Sequence, residues 1–218
     1  MTTDASATGA RPRRTAAVIV AHPDDETLWA GGLILAHREY DWFIASLCRG
    51  GDADRAPRFA RVVAHFGAQG TIANLDDGPD QEPLAPELVS DTVLSLLSGR
   101  HFDLLVTHGP LGEYTRHRRH EETSAAVSGL WQAGRLSAGE LWLFAYEDGG
   151  RAYLPRVAPG ADRVELLPEA IWQEKYRIVT ALYNFAPESW EARTTPRREG
   201  FCRLTAPPGR GHEETGTA

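Results

Sequence analysis

Five consecutive residues, His22-Pro23-Asp24-Asp25-Glu26, place one imidazole and three carboxyl groups directly after the apolar run "TAAVIVA" (15–21). A second polar stretch, "THGPLGEYTRHRRHEE" (107–122), holds His108, His117 and His120, so the two stretches together carry four of the eight histidines. Neutral imidazoles and a carboxylate are the ligands of a catalytic zinc site, which keeps one position open for water. His22 and Asp25 stand three apart, as do His117 and His120, and either pair can aim two groups at one point across a turn or a first helical turn. A three-ligand site needs His22, Asp25 and one later His. Asp24 is then left beside the ion as a base for a bound water whose pKa the metal brings toward about 7. His and carboxylate ligands accept iron(II) as well as zinc. Plainer roles exist for each residue: Asp24 and Asp25 as helix caps, His108 bonded within its own loop, "HRRHEE" as a solvated helix start.

The elements that must position these groups follow from periodicity. Short apolar runs at 15–21, 41–48, 70–75, 102–108 and 140–147 read as strands. Helical spacing marks 25–39, 57–67, 85–99, 118–134 and 167–183. Strands and helices in alternation, with strands apolar on both faces, predict an α/β three-layer sandwich around a mostly parallel sheet. In the commonest strand order of this class the first strand lies beside the fourth, and ligands bind outside the carboxyl ends of the strands at that switch point. Both polar stretches then fall at neighbouring strand ends. The polar, Gly- and Pro-rich ends, 1–14 and 206–218, read as disordered tails around one domain at 15–205.

The formal net charge of −7 argues against a nucleic-acid or membrane-surface binder. Two cysteines make no disulfide framework, and Cys48 reads as a buried thiol. No apolar run has transmembrane length and no secretory signal opens the chain, so a cytoplasmic protein acting on a small molecule is expected. A homo-oligomer is compatible with the sequence. No Gly-x-Ser-x-Gly elbow is present, which disfavours a serine nucleophile. A non-catalytic sugar- or nucleotide-binding module is the alternative of another class, although no Gly-x-Gly-x-x-Gly follows the first strand.

The hexapeptide "AHPDDE" (21–26) after a strand, with "HRRH" (117–120) after the fourth, resembles the LmbE-like or PIG-L deacetylases. These are zinc-dependent N-deacetylases with a Rossmann-like fold, many acting on N-acetylglucosamine conjugates. The likeness covers most of 15–147 and extends more weakly to about 200. It implies that His22, Asp25 and His120 bind zinc (His120 rather than His108), that Asp24 is the general base, and that His117 steadies the oxyanion and assists the leaving amine. The resemblance also implies Tyr114 as a further oxyanion donor. Arg55, with Arg58 as competitor, and Asp77, rather than Asp76, are implied substrate contacts. Glu147 and Asp148, at the end of another strand on that edge, are expected to reach sugar hydroxyls.

The expected reaction is removal of an N-acetyl group from an N-acetylglucosamine-type substrate; the alternative is a metal-dependent amidase acting on a non-sugar or non-acetyl amide. Arg119 stands where the family commonly has an Asp that pairs with the first His, leaving Glu113, Glu121 or Glu122 to replace it. The helix after Arg55 lacks the family's usual paired glutamates, which implies a different pocket. Trp29 and "IWQEKYRIVTALYNF" read as packing. Glu26 reads as helix-start electrostatics, or as support to His22 or His120.

Overall fold

In the computed structural model, which describes residues 13–97 and 99–205, the first strand explains the layers. β1 (Arg14–Val20) is buried on both faces from Ala16 onward. Ala16, Val18 and Val20 enter one hydrophobic layer, Ala17 and Ile19 the other, as the two-residue period of a strand requires. It runs parallel between β2 (Tyr40–Cys48) and β4 (His101–Thr107). Adding β3 (Gln69–Leu75), β5 (Ser137–Phe144), β8 (Arg163–Leu166) and β9 (Arg198–Leu204), the sheet order is β3-β2-β1-β4-β5-β9-β8. The first five strands are parallel; β9 pairs antiparallel with β5 and β8. β6 (Tyr146–Glu147) and β7 (Arg156–Val157) form a separate ribbon.

Helices cover both faces, as expected. α1 (Asp25–Ala36) and α2 (Arg55–Phe66) pack into the layer of Val18, together with the π-helical turn Ile178–Leu182 that prolongs α5 (Glu169–Arg177). α3 (Pro86–Leu97) and α4 (Arg118–Gln132) cover the layer of Ile19. A short α6 (Trp190–Thr194) precedes β9. Among the described residues no helix is long and apolar enough to cross a membrane.

Several boundaries differ from the sequence pattern. The apolar run 140–147 is split at Ala145 into β5 and β6, and the helix expected at 25–39 ends at Ala36. β8, β9 and α6 carry no periodic signal: "RVEL" is a half-exposed edge and "REGFCRL" alternates poorly, so neither reads as a strand. The expected tails lie outside the described residues, apart from Arg13 and Arg14, the latter opening β1.

The glycine pair inside α1 has a packing role. A Cβ on Gly32 would lie 2.3 Å from Leu167 Cδ2. The close approach admits Glu199, whose carboxylate accepts the Gly32 and Leu33 N–H groups at 2.7 Å each and the Lys175 ammonium at 2.7 Å. Both ions of this pair are fully buried.

Candidate active site

β1 and β4 end side by side, with Ile19 opposite Thr107. His22 and His108 follow within three residues of those ends. The turn into α1 puts Asp24 at φ 114, a region that costs a non-glycine residue on the order of 1–3 kcal/mol. Asp24 occupies the N-cap position without a side-chain cap bond. The capping role is therefore not taken up: its carboxylate accepts from Arg55 Nη1 at 2.8 Å instead.

Three acceptor atoms converge beyond the strand ends. His22 Nδ1 lies 3.1 Å from Asp25 Oδ2 and 3.2 Å from His120 Nε2, and His120 Nε2 lies 3.3 Å from Asp25 Oδ2. The opposite atom of each group is already committed. His22 Nε2 faces Asp77 Oδ1 at 3.1 Å, His120 Nδ1 faces Glu113 Oε2 at 2.6 Å, and Asp25 Oδ1 accepts the Trp29 indole N–H at 3.1 Å. With those ring N–H groups donated outward, two imidazole lone pairs and a carboxylate oxygen face one point, and only a cation makes that arrangement favourable. Donor atoms around a tetrahedral ion at about 2.0–2.1 Å stand roughly 3.3–3.4 Å apart, so the spacing fits. The set is a candidate metal site.

Burial opposes a charge on His120, but Asp25 and Glu113 push its pKa up to about 10. Burial likewise opposes ionisation of Asp25, yet His120, His22 and His108 hold its carboxyl well below the usual range.

His108 lies 3.6 Å from Asp25 Oδ2 but is differently engaged. Its Nε2 accepts the Ala21 N–H at 2.9 Å and its Nδ1 faces Glu113 at 2.8 Å, so it has no lone pair to offer. Glu113 thus supports His108 and His120, and these rings hold its carboxyl down to about 2 against the cost of burial.

His117 stacks on His120 with ring centroids 4.6 Å apart, and its Nδ1 is buried without a partner among the described residues. Burial, then His120 and His22, push it down to about 3. None of the three candidates stands in for the family's missing Asp: Glu113 faces the other two rings, Glu121 pairs with Arg116, and Glu122 pairs with Arg119. Arg119 itself turns away, donating to the carbonyls of Asp76 and Glu82 at 2.6 and 2.8 Å.

These groups open onto a cleft of about 400 Å³ lined by Asp24, Arg49, Arg55, Asp77, Tyr114, His117, Trp190 and Glu191, among others. Tyr114 makes no hydrogen bond among the described residues, and burial pushes its hydroxyl pKa up, keeping the O–H. Arg55 opens α2 at the cleft, whereas its competitor Arg58 bonds the Tyr183 carbonyl and Asp54. Asp77 is at the cleft and Asp76 is largely exposed.

Asp77 is more than the wall residue expected: it bridges His22 and Arg49, the latter at 2.6 Å. Burial opposes its charge, but His22, Gln81 and Arg49 hold its carboxyl well below the usual range. Trp29 is buried packing, as expected, and also orients Asp25.

The expectation for Glu147 and Asp148 is corrected. Glu147 does not line the cleft; its carboxylate is taken by the Tyr153 hydroxyl at 2.6 Å, and Asp148 is spent on the Thr115 hydroxyl and N–H and on the Gly150 N–H. Strand β6 carries them into the ribbon rather than to the sheet edge. Glu26 sits in the first turn of α1, where helix-start electrostatics places it, and not against His22 or His120: its oxygens accept from Asp24 N–H, Thr27 and Tyr183 at 3.1, 2.5 and 2.7 Å. Burial raises its pKa to about 7.

Arg49, Trp190 and Glu191 escaped the sequence reading. Arg49 follows the end of β2, next to the switch point, and a charged residue there was a usable signal; α6 offered none.

A mostly parallel α/β sheet with a His/Asp cluster at its switch point defines a Rossmann-like protein with a candidate metal-assisted hydrolytic site. The family described as PIG-L, GlcNAc-PI de-N-acetylase, matches residues 17–131, more than half of the chain. The chain belongs to this family of N-deacetylases, hydrolases of amide C–N bonds. A search of curated proteins finds no match.

Among solved structures, the N,N'-diacetylchitobiose deacetylase of Pyrococcus horikoshii is similar at TM-score 0.67 and 16% identity, covering 88% of this chain and 84% of that one. A zinc-inhibited form of the teicoplanin deacetylase Orf2 is similar at 0.59 and 15%, covering 82% and 90%. The 4-carboxy-2-hydroxymuconate hydratase GalB of Pseudomonas putida is similar at 0.59 and 14%, covering 90% and 98%. At such identities the likeness is one of fold.

Proposed function

We propose that the protein is a zinc-dependent N-deacetylase acting on an N-acetylglucosamine-type sugar or conjugate. The observation that carries this reading is the convergence of His22 Nδ1, Asp25 Oδ2 and His120 Nε2 within 3.3 Å, each braced from behind. These three residues would hold the metal. When bound, zinc supplies a Lewis acid that acidifies water and polarises the acetyl carbonyl.

The chain's own groups do the rest. Asp24 stays outside the converging triad, beside it, and takes the proton of the attacking water. Burial and the neighbouring Asp25 raise its proton affinity, with Arg55 opposing, which moves it toward the range a general base needs. Tyr114, held protonated, and His117, a neutral ring, each offer a hydrogen bond to the oxyanion. With Glu113, Glu121 and Glu122 engaged elsewhere, Asp24 returns the proton to the departing amine nitrogen as the C–N bond breaks, leaving a free amine and acetic acid, which ionises on release.

The test uses N-acetylglucosamine glycosides with metal content measured on the same samples. Asp24→Asn is expected to keep its zinc and lose activity by about 10³-fold or more. His120→Ala is expected to lose the metal. Normal deacetylation by Asp24→Asn would remove the base assignment; normal zinc content in His120→Ala would remove the ligand set.

A further inference from the structure

Part of the cleft wall comes from outside the segment that carries the reactive groups. Trp190 and Glu191, from α6, lie beyond residues 17–131, the part matched by the family. Trp190 leaves 37% of its surface exposed, whereas Trp29, Trp42, Trp131 and Trp142 are at most 9% exposed. Its ring meets Tyr114 at 4.7 Å and Trp29 at 6.4 Å, the residue that orients Asp25. The segment is pinned from behind. Ser189 caps α6 by accepting the Ala192 N–H at 3.1 Å, Ala192 and Thr194 are buried, and the Trp172 indole donates to the Thr195 carbonyl at 3.2 Å. A large apolar face held in a fixed pose at a polar cleft is preorganised for a ligand with an apolar face of its own.

Charge narrows the ligand. Both arginines of the cleft are already neutralised, Arg49 by Asp77 and Arg55 by Asp24. The half-buried Glu191 carboxylate makes no ion pair or hydrogen bond among the described residues. A phosphate on the substrate would find no unpaired cationic side chain in the wall while meeting Glu191.

We propose that Trp190 and Glu191 set the substrate as an uncharged N-acetylated pyranoside, its C–H face stacked on the Trp190 indole and its hydroxyls bonded by Glu191, in preference to a phosphorylated sugar. This rests on the deacetylase reading above. Selection is then written in a segment that the family match does not cover, while the reaction is written in the part it does.

Zinc-loaded wild type, Trp190→Ala, Trp190→Phe and Glu191→Gln are compared on methyl N-acetylglucosaminide, its 6-phosphate and acyclic N-acetylethanolamine. Trp190→Ala should lose roughly tenfold or more in kcat/KM on the glycoside, mainly through KM, and less than about threefold on the acyclic amide. Trp190→Phe should recover most of that loss. Glu191→Gln should lose about tenfold on the glycoside and narrow the wild type's discrimination against the 6-phosphate. Equal losses on both neutral substrates, no loss on the glycoside, or a wild-type preference for the phosphate would overturn the proposal. If the wild type releases acetate from none of the three, the deacetylase reading fails by itself. The wall is then decided by tryptophan fluorescence: a response to the glycoside that Trp190→Ala abolishes upholds it, and a response that survives, or none in the wild type, refutes it.

Discussion

From β1 to α4 the strands run parallel, and their carboxyl-end loops carry His22, Asp24, Asp25, Arg49, Asp77, His117 and His120 to one cleft. From β8 onward the strands run antiparallel, and the buried polar groups mostly hold the frame: Glu199 and Lys175 clamp the backbone of α1, and Tyr183 holds Glu26. The first region concentrates charge around the candidate metal site; the second uses a buried ion pair to hold the helix that presents Asp25, and lends Trp190 and Glu191 to the wall. Reactivity and its mechanical support are thus carried by different stretches of chain.

The sharpest way to break that division is at the clamp. Glu199→Leu leaves the Lys175 ammonium, among the described residues, with the Pro196 carbonyl at 3.4 Å alone. An unpaired buried charge of this kind costs about 3–5 kcal/mol, to be read as a lowered denaturation midpoint. Adding Lys175→Met should restore part of it. If the folded fraction of Glu199→Leu keeps its stability but loses metal, the clamp belongs to the site and the two regions are not separable.

Next in size is Asp77, which braces His22 from behind. Asp77→Asn should weaken metal binding about 10–100-fold in a competition titration with a chelator. Unchanged affinity with a raised KM would return Asp77 to the simple wall contact that the sequence suggested.

The smallest effect lies on the outer side of the second region. Glu174 is bonded by Arg177 and His65, which pull its carboxyl down to about 2. A depressed carboxyl adds stability that is present above its unfolded pKa of about 4.3 and is lost as pH falls toward 2. The pair is partly exposed, so the contribution is about 0.5 kcal/mol. Comparing Glu174→Gln with wild type across pH 2–6 should show the gap closing on acidification; a gap independent of pH would remove the ionic account.

The legible part of the fold was the part with strong periodicity. β1, β2 and β4 are buried on both faces over most of their length, and each strand from β1 to β4 is followed by a helix with its own spacing, so order and handedness left little freedom. β8 and α6 are short, and β9 buries Glu199 among its apolar residues, so none of the three has a pattern to read. In the site, His22, Asp24 and Asp25 stood out because four ionisable groups in five residues are unusual beside a buried strand. Glu147 misled for the opposite reason: position at a strand end says nothing of a ribbon that turns the side chain toward Tyr153.

The sequence by itself determined which groups are available and which strand ends they follow, because strand period, helix period and turn chemistry are local. Only the tertiary structure decided which histidines offer a lone pair. That depends on partners far along the chain: Asp77 behind His22, and the Ala21 N–H occupying His108, 55 and 87 residues away. A ring nitrogen that donates to a carboxylate leaves its other nitrogen free to hold a cation, and one that accepts a backbone N–H does not.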